Sequence, residues 1–141
     1  MRIVYAYVVG DILHEGHLLH LENSKAMGDK LIVGVLTDKA VMEKKPRPVM
    51  SFEQRIKLIK ALRCVDMAVP QDEYSPLNNV VALQPDVLME SMSHLGNDYL
   101  KDLNNSFKGR IVMAPYYPPT SSTQIKERIK EREKEMKKGK R

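Results

Sequence analysis

Ile3-Val4-Tyr5-Ala6-Tyr7-Val8-Val9-Gly10-Asp11-Ile12-Leu13-His14-Glu15-Gly16-His17 changes character once along its length. Residues 2–9 are dominated by β-branched and aromatic side chains, with no alternation of polar groups. That is the pattern of a strand buried on both faces. Gly10-Asp11 breaks the strand. A helix then runs from about Glu15 to Met27, with Leu18, Leu21 and Ala26 among its inward positions and Gly28 as its stop.

The same unit repeats outward from this stretch. Residues 31–36 are a second continuous apolar run, too short for a helix. Ser51-Phe52-Glu53-Gln54 has capping-box spacing, and Ile56, Ile59, Leu62 and Arg63 carry that helix onward. Residues 66–69 are a third strand, closed by Pro70. A short helix at 77–84 precedes a fourth strand at 86–89, and a polar helix around 95–106 precedes a fifth at 110–113. After the Pro-rich turn at 115–119, Ser121 and Ser122 begin a C-terminal helix. Strands alternating with helices over short connections predict an α/β, Rossmann-like, doubly wound parallel sheet of five strands in a single domain.

Composition agrees with one globular unit. The chain has 141 residues, 43% of them apolar and 29% charged. No apolar run approaches the ~20 residues needed to span a bilayer. The apolar N-terminus has only Arg2 before it, and Asp11 and three histidines follow where a small-residue cleavage site belongs. A cytosolic protein is expected. The single cysteine, Cys64, excludes an internal disulfide and a multi-cysteine metal site, and reads as a core residue. Net charge is +5, but residues 126–141 hold nine Lys/Arg and four Glu and so carry all of it. The body is balanced, so a generally basic nucleic-acid-binding domain is not indicated. The expected organisation is a domain over 1–130 followed by a charged helical tail over 131–141, a solvated helix of alternating signs.

In parallel sheets ligands bind beyond the carboxyl ends of the strands. The segments to inspect are therefore 10–17, 37–48, 70–76, 90–94 and 114–123. In the first of them, His14 and His17 flank Gly16 at the mouth of a helix, whose free N–H groups and positive end favour a phosphate. Gly16 lets such a group approach the backbone. Hydrogen bonds from the two imidazoles would stabilise the extra charge on pentavalent phosphorus. A zinc-protease motif needs two histidines four apart on one helix, and these are three apart. A zinc site of His14, His17 and His20 lacks an evident fourth ligand, which leaves His20 as a surface or packing residue.

On these residues the chain resembles the H-x-G-H nucleotidylyltransferases, and within them the small cytidylyltransferases typified by glycerol-3-phosphate cytidylyltransferase. The likeness reaches to about Lys130. It runs through Asp11–His17, Ala26–Val35, Thr37-Asp38, a Lys-rich loop, Phe52-Glu53-Gln54-Arg55, Arg63-Cys64-Val65-Asp66 and Ser121-Ser122-Thr123-Gln124-Ile125. A lone H-x-G-H is a weak signal; seven elements in order are a strong one. The resemblance implies catalytic roles for His14 and His17 on the triphosphate and for Lys44 or Lys45 closing over it. It implies nucleotide contacts for Val9, Gly10, Gly16, Arg55, Ser121, Ser122 and Thr123. Asp11, Asp38 and Arg63 would face the acceptor, with helix capping as the alternative for the two aspartates. Arg55 and Arg63, eight residues apart on one helix, would share a face.

The resemblance further implies CTP as donor, magnesium (Mg²⁺) as cofactor with no assigned protein ligands, and a homodimer. Three departures bear on specificity. The first-strand ending G-T-F-D reads Val8-Val9-Gly10-Asp11; the base-pocket element G-D-D-W reads Ser91-Met92-Ser93-His94; and the arginine that often begins the last signature is Tyr116. Tyrosine there is similar to relatives in phosphonate pathways. The expected function is transfer of CMP from CTP to a small phosphorylated or phosphonate acceptor with release of pyrophosphate. The alternatives are an adenylyltransferase using ATP and a nucleotide-binding module without turnover. Binding of an anionic polymer or surface by the tail is a third.

Overall fold

The computed structural model describes residues 1–91, 102, 106–114 and 122–139. At its centre, β1 (Ile3–Val8) pairs in parallel with β2 (Lys30–Leu36), from Ile3 opposite Lys30 to Val8 opposite Val35. On its other side β1 pairs with β4 (Val87–Ser91). The edges are β3 (Met67–Gln71) beside β2 and β5 (Arg110–Ala114) beside β4, giving the all-parallel order β3-β2-β1-β4-β5. The chain winds outward from β1 to β3, then crosses back to β4. The strand order therefore reverses between β1 and β4, where such folds open a crevice. The expected Rossmann-like α/β domain is the observed one.

Alternation along β1 divides the core. Val4, Ala6 and Val8 face one layer with Leu21 of α1 (Glu15–Lys25) and Ile59 of α3 (Phe52–Lys60). Tyr5 and Tyr7 face the other, with Val41 of α2 (Asp38–Val41) and Val80 of α4 (Leu77–Leu83). Tyr5 keeps its hydroxyl satisfied in this layer: it donates to Gln71 Oε1 at 2.5 Å and accepts from Asn79 Nδ2 at 3.0 Å. Burial pushes its phenol above the usual range. The hydroxyl crosses directly over Gly34, where a Cβ would lie 1.9 Å from it. Glycine at this point of β2 is required by a neighbour, not by backbone conformation.

Several boundaries differ from expectation. Pro70 sits inside β3, opposite Val35, rather than ending it; an edge strand tolerates the missing N–H. Helix α1 stops at Lys25 and is capped by Ala26 in right-handed geometry. Gly28 is no left-handed stop; a Cβ there would meet Val4 Cγ2 at 2.7 Å and the Arg2 carbonyl at 2.8 Å. Leu18 is 38% exposed and Ala26 is exposed, so Leu21 anchors α1. The 37–48 segment contains α2, capped by Thr37 Oγ1 on the Ala40 N–H. The Ser51–Gln54 capping box forms as read, but α3 ends at Lys60. The last helix, α5 (Ser122–Gly139), runs unbroken past residue 130. The expected helix around 95–106 falls largely outside the described residues. Among those described, no helix is long and apolar enough to cross a membrane.

Candidate active site

A cleft of about 610 Å³ opens over the carboxyl ends of the strands, with Val8, Leu36, Ser91 and Ala114 on its floor. One wall is the start of α1. His14 is its N-cap, in extended conformation, and its Nδ1 accepts the Gly16 N–H at 3.0 Å. In return His17 Nδ1 accepts the His14 N–H at 3.2 Å. This is a capping box built from two histidines in place of the usual hydroxyl and carboxamide. With both Nδ1 atoms accepting, each neutral ring carries its proton on Nε2, leaving that N–H as the donor for a ligand. Both rings line the cleft, their centroids 4.0 Å apart. Burial holds both imidazoles below the ordinary histidine range, His17 down to about 4 with His14 and His20 adding to the effect. They are neutral donors at neutral pH.

The turn feeding α1 is tightly wound. Gly10 has φ +73°, and Ile12, a β-branched residue, has φ +51°. Backbone strain of this kind concentrates at functional sites. Asp11 between them is 4% exposed. Its carboxylate accepts the Val49 N–H at 3.0 Å, the Met50 N–H at 2.9 Å and Lys126 Nζ at 3.0 Å. Burial alone would raise its pKa; the two N–H groups and the ammonium outweigh that and hold it below the usual carboxylate range. Its carbonyl accepts the Ser122 hydroxyl. The two ends of the chain therefore meet at one residue.

Ser122 and Thr123 at the start of α5 line the cleft, as do Lys45 and Arg47 on the loop after α2. The sequence left Lys44 and Lys45 undecided; Lys45 reaches the cleft lining and Lys44 does not. Val9 and Gly16 also line it. Ser121 lies outside the described residues, as do residues 92–94 and Tyr116.

Gly10, Arg55, Asp38 and Arg63 are not among the residues that line the cleft. Arg55 is fully buried: its guanidinium donates to the carbonyls of Val9 (2.6 Å), Leu36 (2.6 Å) and Met50 (3.2 Å) and to Asp38 Oδ1 (2.7 Å). It ties strand ends together and has no face left for a nucleotide. Asp38 is its counter-ion, with Arg47 Nε 3.9 Å away, rather than an open acceptor contact. Arg63 lies beyond the end of α3 and is exposed. The helix of a crossover returns toward the amino ends of the strands, so Arg63 sits just before β3, at the end of the sheet away from the cleft. Asp11, read as facing the acceptor, borders the cleft with its carboxylate held by two N–H groups and the Lys126 ammonium.

Sequence reasoning missed Lys126, Arg47 and His20, all of which line the cleft. Lys126 had a signal: it follows Ser122 by four residues, on the same helical face. The alternating charges around it concealed this. Among the described residues no group of three or more His, Cys, Asp or Glu is placed to hold a metal ion. Asp11 and Asp38 are committed to cations already. These residues do not fit a protein-held magnesium site.

A family model described as cytidylyltransferase-like matches residues 10–128. Bifunctional protein HldE of Syntrophotalea carbinolica is 33% identical over 138 residues, covering 92% of this chain and 27% of that protein. Bifunctional protein HldE of Helicobacter pylori (strain Shi470) is 34% identical over 131 residues, covering 92% and 28%. The chain thus spans about a quarter of the length of these curated relatives. Among solved structures, a lipopolysaccharide core biosynthesis protein from Thermoplasma volcanium GSS1 superposes with TM-score 0.75 at 29% identity, over 83% of this chain and 98% of that one. A protein of unknown function from Archaeoglobus fulgidus shares the fold, with TM-score 0.65 at 18% identity, over 86% and 94%.

Proposed function

The chain belongs to the cytidylyltransferase-like family of nucleotidyltransferases, and on that premise we propose that it transfers CMP from CTP to a small phosphorylated or phosphonate acceptor. The observation that carries this reading is the convergence of the His14–His17 cap and the Ser122–Thr123 helix start on one cleft. An acceptor oxygen attacks the α-phosphorus, a P–O bond forms, and the bond to the departing pyrophosphate breaks in line. The Nε2–H groups of His14 and His17 donate to the α-phosphate oxygens, where charge builds up. Lys45 and Arg47 offset the charge of the β- and γ-phosphates, and the start of α5 receives pyrophosphate. Magnesium arrives as part of the substrate, bound to the triphosphate, since Asp11 and Asp38 are already paired with cations. The chain acts as a homodimer, and exposed Met42 and Met67 are available to such a contact.

The test is pyrophosphate release with CTP or ATP across a panel of phosphorylated alcohols, sugar phosphates and phosphonates. Release with CTP and one acceptor class is expected. Release with ATP alone would replace the donor. CTP binding without release from any acceptor, unchanged by His14→Ala, would make the chain a binding module.

A further inference from the structure

We infer that Lys126 of α5 is a positioning residue: through the buried carboxylate of Asp11 it fixes the loop that presents Lys45 and Arg47 to the cleft. The inference rests on the transfer reading for its consequence but on contacts alone for its mechanics.

Asp11 is 4% exposed and has three donors on two oxygens. Two are the N–H groups of Val49 and Met50, which end the loop that begins after Val41. That loop carries Lys45, Pro46, Arg47 and Pro48, all on the cleft lining. The prolines restrict the backbone between the cations and the anchor, so fixing Val49 and Met50 fixes where Arg47 stands. The loop has a second anchor in Arg55, whose Nε holds the Met50 carbonyl at 3.2 Å.

The third donor comes from 115 residues away. Among the described residues Lys126 Nζ is the cation paired with Asp11, 3.0 Å from Oδ2, and its own side chain is 38% exposed. Without it, a nearly buried carboxylate keeps two neutral donors and loses its counter-charge, a state relieved by opening to water. Asp11 borders the cleft, and the seam its carboxylate holds against Val49 and Met50 opens from that side. Ser122, whose hydroxyl donates to the Asp11 carbonyl, ties the same residue to the first turn of α5. Docking of the C-terminal helix and ordering of the cationic loop are thereby one event. The first turns of α5 are a strut of the site.

Amide hydrogen exchange of Val49 and Met50, read by NMR, tests the coupling with no turnover required. In Lys126→Met both amides are expected to exchange at least tenfold faster, while Val33 and Val35 in β2 are unchanged. Lys126→Arg restores protection. Ser122→Ala, which cuts the second tie, gives a smaller quickening at the same two amides. With the acceptor found in the panel above, kcat/KM of Lys126→Met falls by roughly 100-fold, the scale of a misplaced catalytic group, and recovers in Lys126→Arg. Unchanged exchange with lost turnover would overturn the inference in favour of direct substrate contact by Lys126. Quickened exchange throughout the sheet would overturn it in favour of general stability. Quickened loop exchange with full turnover would sever the loop from the reaction. Absence of transfer by the unaltered protein would instead strike the proposed function and leave the exchange result standing.

Discussion

Nη2 of Arg55 lies 2.7 Å from Oδ1 of Asp38, and the guanidinium is wholly shielded from solvent while the carboxylate is 35% exposed. An arginine that such families are expected to turn toward phosphate is here a bracket between β1, β2 and the loop before α3. Replacing it by leucine leaves three carbonyls and one carboxylate without their donor. Arg55→Leu is expected to destabilise by about 3–5 kcal/mol, the range for breaking a buried pair from one side. Urea unfolding measures this. A loss under 1 kcal/mol together with lost nucleotide binding would return Arg55 to the substrate.

The histidine cap makes stability depend on pH. Folding lowers the pKa of His17 from 6.5 to about 4, chiefly by burial. Below pH 6.5 the unfolded chain takes up a proton that the folded chain refuses, so stability falls as pH drops from 6.5 toward 4. Above 6.5 the contribution is complete. Protonating Nδ1 also destroys the acceptor that holds the His14 N–H. Unfolding midpoints at pH 7, 6 and 5 should decline, and decline less in His17→Gln. Equal declines would mean that His17 is already protonated in the fold.

The loop separates two adjacent lysines. On the proposed transfer, Lys45→Ala lowers kcat/KM by roughly 100-fold, within the range of lost transition-state charge stabilisation. Lys44→Ala stays within about threefold, as an exposed surface substitution should. Steady-state pyrophosphate release compares them, and the reverse order would move the working cation one residue back.

A single added methyl should be damaging at Gly34. Its Cβ would stand 1.9 Å from the Tyr5 hydroxyl and 2.8 Å from Gln71 Oε1, inside a satisfied hydrogen-bond network. Gly34→Ala is expected to cost about 1–3 kcal/mol by overpacking, and Gly34→Ala with Tyr5→Phe should recover part of it. Thermal unfolding of the two variants decides, and no recovery would place the strain elsewhere.

What the sequence disclosed follows from which interactions are local. Unbroken apolar runs at residues 3–8 and 31–36 mark interior parallel strands, and the Ser51–Gln54 box announces its helix, because each depends on neighbours within a turn. The cleft was locatable too, since chain order places it at the carboxyl strand ends. The roles of Arg55, Asp38 and Asp11 were hidden, because a charged residue reads the same whether it meets a phosphate or a carbonyl from a distant strand. Periodicity misled at Arg63, where α3 stops three residues early and puts it at the wrong end of the sheet. It misled again along α1, where Leu18 and Ala26, read as inward, are exposed.

On the proposed transfer, the Nε2–H groups of His14 and His17 act on the reacting phosphate, while their Nδ1 atoms serve the cap. Single-turnover pyrophosphate release, with CTP and its acceptor saturating, measures that step in His14→Asn and His17→Asn, beside CTP affinity by calorimetry. Release is expected to slow by about 10²–10³-fold, as for removal of one donor to a developing oxyanion, with affinity changed by less than tenfold. Release at the unaltered rate in both variants would contradict that role.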